Sequence, residues 1–233
     1  MRPRRGFPVS AIITILLLLG PEVVLARAGG GGGGGGGHGR GSWLNIIALP
    51  ILLIYSAIVT QQVRKRNRAC RFLLARLKKL DPIWDLDAIR NRISQVFFKV
   101  QQAWTERDQN IARDCMSSAI FEKHKMQTDQ MISQHRRNVL EDINLIETDI
   151  VDVEDFTDNR KDQFWVYVKG SMIDYTVDDK TGSRVSGNEK AEKFTELWKF
   201  LRIGDTWVLD EIDQEVSLFD LKKFKATTES VRG

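Results

Sequence analysis

Residues 194–212 read Phe194-Thr195-Glu196-Leu197-Trp198-Lys199-Phe200-Leu201-Arg202-Ile203-Gly204-Asp205-Thr206-Trp207-Val208-Leu209-Asp210-Glu211-Ile212. Two runs rich in aromatic and branched side chains meet at a Gly-Asp pair, which predicts an antiparallel hairpin with strands over 193–203 and 206–215. Alternation sends Phe194, Trp198 and Phe200 to one face and Leu197 and Leu201 to the other. Both faces are apolar, so helices on one side leave the other to be covered by a homodimer partner, a juxtamembrane helix or the membrane surface.

Upstream, two more runs carry strand chemistry. Ile143 to Phe156 is followed by the polar turn Asp158-Asn159-Arg160-Lys161-Asp162, and Gln163 to Val177 by Asp178-Asp179-Lys180-Thr181-Gly182. Gly170 is the expected bulge in the second run, and Val185 marks a short edge strand. Before the strands the period changes to helical. Asp81-Pro82 pairs a capping carboxylate with the one helical position that tolerates proline, and Leu86, Ile89, Ile93, Val96, Phe97, Val100 and Trp104 form one apolar stripe. Asp108 opens a second helical stretch, with a break near Ser117-Ser118, that reaches Gln134 or His135; Arg136 and Arg137 suit its end and Asn138 its left-handed cap. The expected class is α+β, with helices on a curved antiparallel sheet of about four strands. This domain occupies residues 81–216, and 217–233 is a C-terminal tail with at most one helical turn at Leu218-Phe219-Asp220-Leu221.

The charge is divided along the chain. Residues 1–80 hold 13 basic side chains and one acidic, whereas residues 81–233 hold 22 basic and 30 acidic, a net of −8 behind an overall +4. An acidic domain on a basic leader excludes a basic nucleic-acid-binding domain. Cys70 and Cys115, 45 positions apart, form neither a disulfide framework nor a CxxC pair, which suits a reducing compartment.

The leader carries two membrane signals. Arg2, Arg4 and Arg5 precede the uncharged run Val9–Leu19, and Ala26-Arg27-Ala28 places small residues at a cleavage site, so residues 1–28 read as a signal peptide, with an uncleaved first anchor as the alternative. Residues 29–42, with nine consecutive glycines, read as a flexible spacer. Trp43 to Val63 has 21 residues without a charge, about 31 Å as a helix, and reads as a transmembrane helix that tolerates Pro50. The following residues 64–80 read as a basic amphipathic juxtamembrane helix. Its cations Arg64, Lys65, Arg66, Arg68, Arg71, Arg76, Lys78 and Lys79 place residues 64–233 on the cytoplasmic side. They either lie on anionic headgroups or serve only to fix topology.

Four segments carry a family resemblance: Ala103-Trp104 with Asp108, Arg137-Asn138-Val139-Leu140, Gly170-Ser171-Met172-Ile173-Asp174-Tyr175, and the closing hairpin with Glu196, Trp198, Phe200, Arg202, Trp207, Leu209 and Ile212. Together, over residues 81–215, they resemble the bacterial Tim44-like domain family. The family is named for a mitochondrial subunit that tethers the protein-import motor to the translocation channel. The resemblance implies the cone-shaped NTF-two-like fold and a membrane-tethered binding or scaffold module at the bacterial inner membrane. Its expected partners are lipid or a membrane-protein or translocation component, met by an apolar groove. Trp104, Trp165, Tyr167, Trp198, Phe200 and Trp207 are the candidates for that groove or interface.

The same superfamily contains isomerases and dehydratases, so a tethered small-molecule enzyme is the alternative reading. Its candidate residues are His124, His135, Asp174, Tyr167 and Tyr175. The two histidines are eleven residues apart, about 16 Å along a helix, which is too far for one metal or one proton relay. Strand alternation sends Asp174 away from both tyrosines. Asp210, Glu211, Asp213 and Glu215 have no metal-ligand spacing, and no phosphate loop, zinc motif or nucleophile elbow appears. No catalytic residue, metal ligand or cofactor is assigned, and no enzymatic activity is expected.

Overall fold

Asp81 caps a single 3-10 turn, Pro82–Trp84, through Ile83 N–H, and Asp85 takes over as the cap of the helix proper. The expected helix start is therefore divided between two carboxylates, because the Pro82 turn closes before the apolar stripe begins. The computed structural model describes the backbone of residues 43–225 and 227–228 and the side chains of residues 52–225. The signal peptide 1–28 and the spacer 29–42 lie outside the described residues.

Helix α1 runs Trp43–Leu77, α2 Leu86–Glu106 and α3 Ser118–Ser133. A 3-10 stretch, Gln109–Cys115, joins the last two, and Ser117 caps α3 at the expected break. The strands are β1 Arg136–Asp155, β2 Gln163–Asp178, β3 Arg184–Ile203 and β4 Thr206–Asp213; after them come α4 Leu218–Lys223 and β5 Thr227–Thr228. β1 to β4 form an antiparallel meander, with β5 added in parallel to β1, in the order β4-β3-β2-β1-β5. The α+β class holds.

Three register shifts along β1, at Glu141/Asn144, Leu145/Glu147 and Ile150/Asp152, bend it across the sheet. The bulges belong to β1 and not to Gly170, which pairs in register with Leu145 and Phe194. Gly170 instead makes room: a Cβ there would lie 2.4 Å from Phe194 Cζ and 2.9 Å from the Asn144 carbonyl oxygen. His135, at φ 53°, is the left-handed residue that ends α3, so Asn138 lies in β1 instead of forming a cap. Val185 belongs to the continuous β3.

Even-numbered residues of β2 and β3 face α2 and α3. Phe164, Val166, Val168, Met172, Phe194, Trp198 and Phe200 meet Ile89, Ile93, Val96, Phe97 and Val100 in the inner core. Cys70, Leu74 and Leu77 from α1 belong to the same core. The tail is also structured: Leu221 of α4 is buried and Phe224 rests on Trp165 at 5.5 Å between ring centres. The folded body is thus larger than residues 81–216. Among the described residues no helix is long and apolar enough to cross a membrane; the expected span begins at Trp43, and described side chains begin at Leu52.

Candidate functional site

The outer sheet face needs a cover, and this chain supplies one. Val59 and Val63 of α1 join Val151, Tyr167, Leu197 and Leu221 in a second apolar cluster, with Trp165, Val216, Leu218 and Phe224 packed around it. About five turns of α1 therefore serve two layers: Val59 and Val63 close the outer face, and Cys70, Leu74 and Leu77 complete the inner core. The spacing of these five positions is that of a single helical stripe.

Polar contacts fasten the same seam. Asn67 Nδ2 donates to Asp149 Oδ1, Arg66 Nη2 to the Lys222 carbonyl oxygen at 3.5 Å, and Lys225 N–H to Asp152 Oδ1 at 3.1 Å. Farther up the helix, Leu218 N–H donates to Tyr55 Oη at 3.3 Å. Burial, and then the neighbouring Glu147, push the Asp149 carboxyl up to about 6, against the pull of Arg90 and Arg64. Burial also pushes the Cys70 thiol up to about 12, which leaves it a packing group without thiolate chemistry.

Beyond the docked stripe α1 changes character. Leu52, Leu53, Ile54 and Ile58 are exposed at 51%, 63%, 61% and 40%, on several sides of the helix. On the turns after Val63, Arg64, Lys65, Arg68, Arg71, Arg76, Lys78 and Lys79 are exposed, and Arg66 is half-buried beside α4. Lys78 forms an ion pair with Asp85. Seven of the eight candidate membrane-surface cations thus face away from the packed stripe. Phe72 and Leu80, apolar residues of the same stretch 64–80, are exposed at 70% and 84%.

The six candidate groove aromatics do not share one surface. Trp104, Trp198, Phe200 and Trp207 are buried in the inner core. Trp198 Nε1 donates to Glu196 Oε2 at 2.8 Å, Phe200 stacks on Phe164 at 4.9 Å, and Trp207 Nε1 donates to the Ile83 carbonyl at 3.2 Å. Trp165 and Tyr167 lie on the outer face under α1 and α4. The sheet's alternation, which makes both faces apolar, is what separates the two sets.

The candidate groups of the enzyme reading are also dispersed. His124 is buried against Trp104, 5.6 Å between ring centres, and burial lowers its pKa to about 4, so the ring is neutral. His135 sits 3.7 Å from Asp179 beyond the end of α3. Asp174 Oδ1 accepts from Asn138 Nδ2 at 2.8 Å, while Tyr175 Oη donates to Glu141 Oε1 at 3.3 Å on an exposed surface. Tyr167 is on the outer face. Asp210 lies 3.4 Å from Lys199 Nζ, and Asp213 Oδ1 accepts from Glu215 N–H at 3.0 Å. Among the described residues no three His, Cys, Asp or Glu side chains are placed to hold a metal.

Sequence reasoning missed the docking stripe because Val59 and Val63 fall inside the uncharged run and Cys70, Leu74 and Leu77 outside it. Their common 3.6-residue spacing across that boundary was the available signal.

No curated protein matches the chain. Among solved structures, the intermembrane space region of the chloroplast protein ARC6 is similar over 57% of this chain and 98% of its own, at 11% identity and a TM-score of 0.41. The model of the Tim44-like domain matches residues 71–214, from the lower turns of α1 through the last strand of the meander. That match spans more than half of the chain and contains every inner-core residue but Cys70, and the chain belongs to the Tim44-like domain family.

Proposed function

We propose that this chain is a membrane-anchored binding and scaffold module, held by α1 at the cytoplasmic face of a bacterial inner membrane close to lipid headgroups and membrane-protein machinery. One observation carries the reading. The helix that completes both apolar layers of the domain continues into Leu52, Leu53 and Ile54, side chains exposed on several sides in the middle of the uncharged run Trp43–Val63. A helix apolar on all sides belongs in a protein core or a bilayer, and no described element packs around these residues. The exposed cations from Arg64 to Lys79 supply the inner flank.

Membership of the Tim44-like domain family supports a binding module, and the dispersal of the acid, imidazole and phenol groups favours it over a tethered enzyme. The test is fractionation of the full chain expressed in bacteria. It is expected to stay in the membrane pellet through alkaline carbonate, and a phosphatase fused after Gly233 is expected to be silent. Release by carbonate, or an active phosphatase, overturns the anchor or its orientation. Crosslinking in intact cells then identifies the partner.

A further inference from the structure

The bilayer and the domain make competing claims on the same residues. A helical span needs about 20 residues to cross a hydrocarbon layer of ~30 Å, and the uncharged run Trp43–Val63 has 21. Within that run, however, Tyr55 Oη accepts from Leu218 N–H, and Val59 and Val63 are enclosed against Val151, Tyr167, Leu197 and Leu221. A fully docked helix keeps residues 55–63 with the domain, and the other 12 of the 21 measure about 18 Å at 1.5 Å per residue, well short of a crossing. Full span and full docking are incompatible.

We propose that insertion hands residues 55–63 from the domain to the bilayer, and that the sheet face they vacate is laid against the interfacial lipid layer. This inference rests on the anchored reading above. The lower half of α1 is unaffected, because Cys70, Leu74 and Leu77 are held in the inner core and Asn67 by Asp149. The helix then leaves the membrane beside Arg64 and Lys65, one turn or two from the outer face. The chemistry of the vacated surface fits that neighbour. Trp165 and Tyr167 have the amphipathic rings favoured at membrane interfaces. On α4, whose Leu218 and Leu221 pack in the same cluster, Phe219 is 69% exposed with Lys223 Nζ 4.4 Å from its ring centre, and Lys222 is exposed as well, so that the two lysines complement anionic headgroups. Lipid recovers the apolar contacts that the upper turns of α1 give up.

Cysteine capture tests this on the full chain. Leu197 and Val151, on different strands, are 1% and 0% exposed under the docked helix, and the native Cys70 and Cys115 are 0% exposed and serve as the unreactive background. The variants Leu197→Cys and Val151→Cys, each checked for native near-UV circular dichroism, are reconstituted in phosphatidylethanolamine and phosphatidylglycerol vesicles doped with a maleimide-headgroup lipid. The expected result is a chain that resists carbonate extraction and gains the mass of one lipid, at least tenfold more than the unsubstituted chain. A carbonate-resistant chain that reacts with no maleimide shows that α1 stays docked, and the inference fails while the anchor stands. Reaction with a water-soluble maleimide but not with the lipid one means a water-filled face and also overturns it. A chain extracted by carbonate overturns the anchor and the inference together.

Discussion

Arg202 and Asp81 stand 121 residues apart in sequence, and Arg202 Nη1 lies 2.5 Å from Asp81 Oδ2. The same guanidinium donates to Asp162 Oδ2 at 3.1 Å and through Nε to the Gly204 carbonyl at 3.2 Å. Asp162 is fully buried and accepts from Phe156 N–H at 2.9 Å through its other oxygen. One side chain of the closing hairpin therefore ties the entrance of the domain to the β1–β2 turn.

Removing that cation leaves Asp162 with a desolvated charge, since burial already pushes its carboxyl above the ordinary range. Arg202→Ala is expected to cost about 3–5 kcal/mol. Asp81→Ala, whose partner keeps Asp162 and whose own side chain is 30% exposed, should cost about 1 kcal/mol, mostly its cap on the Pro82 turn. Urea unfolding of both single variants and the double variant checks the ranking; equal costs would show that Asp162 does not depend on Arg202.

Gly170→Ala places a methyl group into the Phe194 ring and the Asn144 carbonyl. Overpacking of this kind costs about 1–3 kcal/mol. Phe194→Leu in the same chain removes the ring contact, so the pair should be less destabilised than the sum of the single changes. An additive pair in chemical denaturation would remove the ring from the explanation.

His124 is neutral in the fold because its pKa falls from 6.5 to about 4. The unfolded chain protonates below about 6.5, and the folded chain only near 4. The stability present above pH 6.5 is therefore lost as the pH falls through that window. By pH 4 the loss reaches about 3 kcal/mol at ~1.4 kcal/mol per pKa unit. His124→Leu should remove this part of the acid sensitivity, read as the difference between the unfolding free energies of the two chains from pH 7 to pH 4. A constant difference would place His124 in contact with water.

Asp149 titrates in the opposite sense. Its folded carboxyl is raised from 3.8 to about 6, so the stability it contributes is full below pH 3.8 and is lost as the pH rises through 6. Asp149→Asn, which keeps a partner for Asn67, is expected to gain stability relative to the parent chain between pH 4 and pH 7. A flat difference in urea titrations over that range would contradict the burial of this charge.

A fragment beginning at Asp81 loses Val59, Val63, Cys70, Leu74 and Leu77 together. Each fully buried side chain of this size contributes about 1.5–3 kcal/mol, and the set rivals the net stability of a whole domain. Residues 81–233 are expected to bind a hydrophobic dye or self-associate, whereas residues 55–233 should remain monomeric in light scattering. A monomeric, cooperatively unfolding 81–233 would show that α1 is dispensable to the fold.

The sequence by itself determined the α+β class, the closing hairpin, the stripe of α2 and the position of the break at Ser117, because each is a local periodicity or a local turn and needs no partner to be read. It also carried the charge division and the family resemblance that the Tim44-like match bears out. Tertiary structure decided which face each strand residue covers. Bulges in β1 shift its alternation, so Ile150 and Val153 share the inner core while Val151 turns outward. Tertiary structure also decided where the lower turns of α1 pack. Hydropathy grouped Tyr55 to Val63 with the run before it, but only the folded sheet shows Val151, Tyr167 and Leu197 waiting beneath, and an apolar side chain cannot specify in advance whether lipid or protein will bury it.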